Sequence, residues 1–205
     1  MIPYIHTAYG NIPTFTVMIV IGVLLFLGIT HIELKKGNNN ADEENYIFPK
    51  IVISGIIAYA FSAIADSLFK LRENGAFVLS GITFYGGLFG GCLGMYIMLR
   101  FSKSNTQYTK QEWFELLTLP MIAFHIFGRL GCFLAGCCYG KETDGILGVV
   151  FPDNEVSNIF HYGQKCYPTQ LFEVFALIII FFCSAPFRRK IQDVYVFVCN
   201  IKIYY

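Results

Sequence analysis

The sequence predicts an all-α fold, a polytopic bundle of about five to six transmembrane helices. Three observations lead there. Of the 205 residues, 55% are hydrophobic and only 14% are charged, where a soluble domain carries about 25% charge. The apolar residues gather into long runs with few or no charges, and about 20 such residues in a helix cross a bilayer. Lipid offers no partner to an open strand edge, so runs of this kind fold as helices.

The elements follow in order. Ile12 to Thr30 is uncharged and makes a first span. It lacks a basic start and a small-residue cleavage site, so it reads as a permanent span and not a signal peptide. Ile51 to Phe69 is a second span, with Asp66 near its end in an ordinary i,i+4 pair with Lys70. Ala76 to Leu99 is a third, rich in glycine. Leu116 to Gly136 is a fourth, interrupted by His125 and Arg129, and Leu171 to Phe187 is a fifth. Val194 to Tyr205 begins a sixth. All of this forms one membrane domain, with the loop 137–168 as an extracytoplasmic cap.

Basic residues orient the bundle. Lys35, Lys36, Lys50, Arg100, Lys103, Lys110, Arg188, Arg189 and Lys190 flank the odd loops, against Lys70, Arg72, Lys141 and Lys165 on the even ones. The odd loops are expected in the cytoplasm and the N-terminus outside. That order brings the outer half of the third span, the end of the fourth and the start of the fifth to the outer leaflet. The net charge of +1 supplies no basic patch for a phosphate backbone, so nucleic acid is excluded as a partner.

The run Phe127 to Gly140 concentrates the chemistry: one Arg, four Gly and three Cys at the end of an apolar segment. An arginine at hydrocarbon depth costs a few kcal/mol and calls for an anionic partner. Arg129 is therefore a candidate anion site or, in the plainer reading, a snorkelling side chain at a helix end. Gly128 and Gly131 beside it are expected to open room for a headgroup. Gly86, Gly87, Gly90, Gly91 and Gly94 form a small-residue face suited to close helix packing. His125, one turn before Arg129, reads as a bundle histidine or a base. Glu173, at a helix start, reads as a cap or a functional carboxylate.

Of seven cysteines, Cys92, Cys183 and Cys199 lie inside spans as small apolar fillers. Cys132, Cys137, Cys138 and Cys166 fall on the outer side, as free thiols or disulfides. The adjacent pair Cys137-Cys138 does not fit the two-residue spacing of a zinc knuckle, so no metal and no cofactor is expected. A neighbouring Arg lowers a thiol pKa, which makes Cys137 a candidate nucleophile.

At these residues the chain resembles the prolipoprotein diacylglyceryl transferase family, from Ile12-Pro13 to about Glu173. The family's signature Gly-Arg-hydrophobic-Gly-Asn-Phe-x-Asn-Gly-Glu-x-x-Gly is similar to the stretch from Gly128 to Gly140. Its Ser-Phe-His-Gly-Gly-Leu segment is similar to Thr83-Phe84-Tyr85-Gly86-Gly87-Leu88, and its His-Pro-Ser-Gln-Leu-Tyr-Glu segment to Tyr167-Pro168-Thr169-Gln170-Leu171-Phe172-Glu173. The resemblance implies a plasma-membrane bundle whose site faces the outer leaflet. It implies transfer of the diacylglyceryl group of phosphatidylglycerol onto the lipobox cysteine of a prolipoprotein. It carries Arg129, Tyr85 and Cys137 onto catalytic positions, and Gly128, Gly131, Cys132, Gly140, Gly86, Gln170 and Glu173 onto substrate-binding ones. The chain departs from the pattern where the family's His is Tyr85, its two Asn and its Glu are Cys132, Ala135 and Cys137, and its first-span Tyr is Phe15. It also stops where the family continues, as a truncated product would. Two other readings follow from those departures: a non-catalytic phospholipid-binding protein of the same fold, or an extracytoplasmic thiol-redox membrane protein.

Overall fold

The computed structural model describes residues 2–7, 10–36, 41–75, 77, 81–102, 106, 108–151, 163 and 165–184. The expected sixth span and Cys199 lie outside them. The described chain is mainly helical, and it divides into two compact units, residues 1–33 with 114–205 and residues 34–113.

In the first unit the chain opens on a hairpin, β1 (Tyr4–Thr7) against β2 (Gly10–Pro13), paired antiparallel from Tyr4↔Pro13 to Thr7↔Gly10. The apolar pattern gave no sign of it, because its residues stay mostly exposed and carry no periodic face. α1 (Thr14–Lys36) therefore starts two residues later than the hydropathy suggested. Thr14 anchors that start by donating its backbone N–H to Pro3 O at 2.9 Å and its hydroxyl to Ile2 O.

In the second unit α2 (Ala41–Asn74) and α3 (Phe84–Phe101) pack closely. The glycine face explains how. A Cβ on Gly90 would lie 2.5 Å from Phe61 Cβ, one on Gly86 2.8 Å from Ala65 Cβ, and one on Gly94 3.0 Å from Ile57 Cδ1. Small residues at every fourth position let two backbones approach where lipid gives no hydrophobic drive. α3 begins at Phe84 and not at Ala76. Gly81 to Thr83 are not helical, and Thr83 is extended and held by Ser62 Oγ donating to Thr83 O at 2.6 Å. Asp66 accepts from Lys70 Nζ at 2.6 Å, the ordinary pair expected.

α4 (Lys110–Ala135) starts in the second unit on a capping box. Thr109 N donates to Glu112 Oε2 at 2.7 Å and Glu112 N to Thr109 Oγ1 at 3.3 Å. The rest of α4 crosses the first unit against α1. A Cβ on Gly22 would lie 3.1 Å from Phe124 Cδ2, and one on Gly131 3.1 Å from both Met18 Cβ and Phe15 Cδ2. Among the described residues α1, α2 and α4 are long and apolar enough to span a bilayer. Large apolar side chains stand exposed on the helices, among them Leu24, Ile56, Phe89 and Phe182. Unpartnered faces of this size belong against lipid.

After α4 the loop folds back on itself. β3 (Val149–Val150) pairs antiparallel with β4 (Lys165–Cys166), and Glu142 bridges to Cys166. α5 (Thr169–Ser184) follows directly.

Candidate active site

The first unit holds most of the residues singled out by sequence. Its centre is Arg129 on α4, whose side chain is buried to 4% exposure. Its partner comes from α5. Arg129 Nη2 donates to Glu173 Oε1 at 2.7 Å, and Nε lies 2.5 Å from Glu173 Oε2 as an ionic contact off the hydrogen-bond axis. Two-pronged contact fixes the guanidinium plane as well as its charge. Glu173 lies one turn inside α5, so its carboxylate serves Arg129 and not the helix cap. Span order led to the expectation that both residues lie on one leaflet; it could not show that they touch across 44 positions.

The glycines separate into two kinds. At Gly128 a Cβ would meet nothing within 4 Å, so that position is open. At Gly131 the expectation of headgroup room fails, because Phe15 and Met18 of α1 fill it. Gly140 is also filled: its Cβ would sit 2.6 Å from Thr169 Cγ2.

The end of α4 explains the thiols. Gly136 takes φ 77°, its N–H donates to Phe133 O at 3.2 Å, and Cys137 N donates to Cys132 O at 3.0 Å. These two bonds form a Schellman motif, which folds the second residue past the helix back over the last turn. Cys137 is thereby laid over Cys132. Cys138 then adopts φ 62°, an uncommon left-handed conformation for a side-chain-bearing residue. The three Sγ atoms of Cys132, Cys137 and Cys138 lie within 4.8 Å of one another. Sequence spacing missed this cluster because a knuckle is not what makes it; the reversal at Gly136 does. Among the described residues, these three form a group able to hold a metal ion.

Cys166 is not among them. It is fully buried in β4, where burial and then the Glu142 carboxylate push its thiol above the usual range. The expected set of four outer thiols thus reduces to a cluster of three and a separate buried one. All four are free thiols. Nor does Arg129 activate Cys137. Hydrogen bonding with the Cys132 and Cys138 thiols, together with burial, pushes the Cys137 thiol up, contrary to the expected lowering.

The start of α5 holds this turn in place. Gln170 is fully buried and donates Nε2 to Cys137 O at 2.6 Å. Thr169 Oγ1 donates to Cys138 O at 3.2 Å. The Gln170 amide N–H group is therefore engaged with the protein's own backbone. His125 is buried in α4. Tyr85 and Gly86 belong to the second unit. Tyr85 is 39% exposed, and the missing side chain of Gly86 is taken up by α2.

A family profile described as prolipoprotein diacylglyceryl transferase matches residues 4–204. The chain belongs to that family. Among the transferase family's curated members, it is similar to a phosphatidylglycerol–prolipoprotein diacylglyceryl transferase 2 of Clostridium perfringens, 31% identical over 161 residues, 74% of this chain and 60% of the relative. It is similar to the enzyme of that activity from Clostridium tetani, 27% identical over all of this chain and 81% of the relative. It is also similar to one from Dehalococcoides mccartyi, 26% identical over 92% of this chain and 72% of the relative. The match thus spans less than two thirds of the Clostridium perfringens protein. Family and relatives alike are named for diacylglyceryl transfer in lipoprotein biosynthesis, a transferase activity.

Proposed function

We propose that this protein transfers the diacylglyceryl group of phosphatidylglycerol to the lipobox cysteine of a prolipoprotein, at the outer face of the plasma membrane. The observation that carries the reading is Arg129, buried, oriented by Glu173 and bordered at Gly128 by open space. The phosphate of the lipid binds the guanidinium, and Gly128 leaves room for the headgroup. The attacking sulfur belongs to the substrate. Its thiolate attacks the glyceryl carbon, a C–S bond forms, the C–O bond to phosphate breaks, and glycerol phosphate leaves with the electron pair. Arg129 stabilises the charge that grows on that phosphate, in a setting of low dielectric. The family resemblance alone assigns Tyr85 a role, and a phenol near neutral pH is a hydrogen-bond donor and a poor base. Gln170 and Thr169 hold the backbone at Cys137 and Cys138. Cys137 contributes through its place in that turn and not as a nucleophile.

A second reading, a phospholipid-binding protein without turnover, is favoured by the replacement of the family's polar positions by Cys132, Ala135 and Cys137. One experiment separates the two. Full-length protein in phosphatidylglycerol vesicles is given a lipobox peptide, and lipid transfer is followed by mass. Transfer that falls at least ~100-fold in Arg129→Ala supports the transferase, as loss of a charge-stabilising donor requires. Lipid binding lost in Arg129→Ala, with no transfer by the wild type, supports the second reading and sinks the first.

A further inference from the structure

We propose that Cys132, Cys137 and Cys138 form a three-thiolate site for one divalent cation of the zinc class, with a fourth position open to a substrate thiol. The substrate half of this rests on the transferase reading; the metal half does not.

The geometry begins with the turn. A Schellman closure returns Cys137 over Cys132, and the left-handed backbone at Cys138 (φ 62°) turns a third thiol into the same space. A cysteine held there is strained, at a position that glycine would occupy freely. The surrounding structure over-determines it: α5 fixes the carbonyls of Cys137 and Cys138 through Gln170 at 2.6 Å and Thr169 at 3.2 Å. Two of the ligand residues are thus held from behind through their backbone, as hydrogen bonds behind a metal site fix its ligands.

The sizes agree. A tetrahedral site with Zn–S of about 2.3 Å places its sulfurs roughly 3.8 Å apart. The three sulfurs all lie within 4.8 Å of one another, so a closure of no more than about 1 Å completes the site. The donor set selects the cation. Thiolates favour zinc and other soft or borderline ions over calcium or magnesium, which take oxygen. Three protein ligands are the number that catalytic zinc sites use, leaving one position for water or substrate.

That position has a use in this reaction. A thiol bound to such a cation gives up its proton outright. The lipobox cysteine would lose its proton to water, bind as thiolate in the fourth position, and attack the glyceryl carbon from there. The C–S bond forms, the C–O bond breaks, and the glycerol phosphate departs. The cluster thereby supplies the deprotonation that the attack needs.

The test uses full-length protein, reduced and freed of metal in detergent, and cobalt(II) alone as the probe. One equivalent is expected to bind, with a thiolate-to-cobalt charge-transfer band and the intense visible absorption of a tetrahedral ion. Affinity is expected to fall more than about tenfold in Cys137→Ser and Cys138→Ser, and to stay unchanged in Cys183→Ser. Zinc is expected to protect Cys132, Cys137 and Cys138 of the wild type, and no other thiol, from alkylation; this measurement needs no variant to fold. Adding a lipobox-cysteine peptide is expected to shift the cobalt spectrum, and a serine peptide is not. Cobalt binding below one tenth of an equivalent, or equal binding in Cys138→Ser, overturns the site. So does a Cys132–Cys137 disulfide that persists in place of metal. A cobalt spectrum blind to the cysteine peptide overturns the substrate half. Transfer at full rate by metal-free protein overturns the metal's role and leaves the transferase standing, whereas metal binding without transfer under any condition refutes the transferase.

Discussion

Glu173→Gln tests the contact on which Arg129 depends. The substitution keeps the shape of the side chain and one acceptor oxygen, and removes only the charge. Arg129 is 4% exposed and the Glu173 side chain 22%. Breaking a buried ion pair by removing one partner costs about 3–5 kcal/mol, because the remaining charge stays desolvated. Water reaches this pair from the glutamate side, which places it at the low end, ~3 kcal/mol. The glutamine oxygen still accepts from Nη2, returning about 1 kcal/mol. The expected loss is therefore ~2 kcal/mol, a midpoint lowered by roughly 4–8 °C for a chain of this size. The assay is thermal unfolding in detergent micelles, run with Arg129→Met and with the double variant Arg129→Met/Glu173→Met. Removing both charges is expected to recover much of the loss, since an apolar pair leaves no orphan charge. If Glu173→Gln melts within about a degree of wild type, or the double variant is no better than the single ones, then the pair does not hold the site as argued.

Two further outcomes follow from named contacts. Gly128→Ala meets open space and gains helix propensity, so it is expected to stabilise α4 by up to ~1 kcal/mol while slowing lipid transfer by occupying the headgroup room. Gly131→Ala forces its Cβ to 3.1 Å from Phe15 and Met18 and is expected to lose ~1 kcal/mol net as α1 is pushed away; paired thermal melts check the order, and the reverse order would refute it. The Cys166 thiol has a folded pKa above its usual 9.0, so the folded state keeps a proton that the unfolded chain releases. Its contribution to stability is complete below the unfolded pKa and declines as pH rises through the folded one. Stability measured from pH 8 to 11 should therefore fall less steeply in Cys166→Ala than in the wild type, and parallel curves would count against the assignment.

The amino-acid sequence by itself determined that this chain is a bundle of membrane helices, because hydropathy and span length are local quantities and lipid permits little else. It determined the glycine face of α3, since residues at helical spacing lie on one side whatever they meet. It also determined the family, through three motifs in order. What it could not fix were contacts made by chain reversal. The hairpin at Tyr4–Pro13 carries no apolar period. The pairing of Arg129 with Glu173 depends on how α5 returns to α4, and nothing in either segment names the other. Gly128 and Gly131 look alike in the sequence, yet α1 fills one space and leaves the other. The cysteines show the same limit most clearly. Read as spacing, Cys132, Cys137 and Cys138 matched no ligand pattern; read as a helix end turning back at Gly136, they share one small volume. Periodicity speaks for elements, and only tertiary structure decides which side chains an element's end brings together.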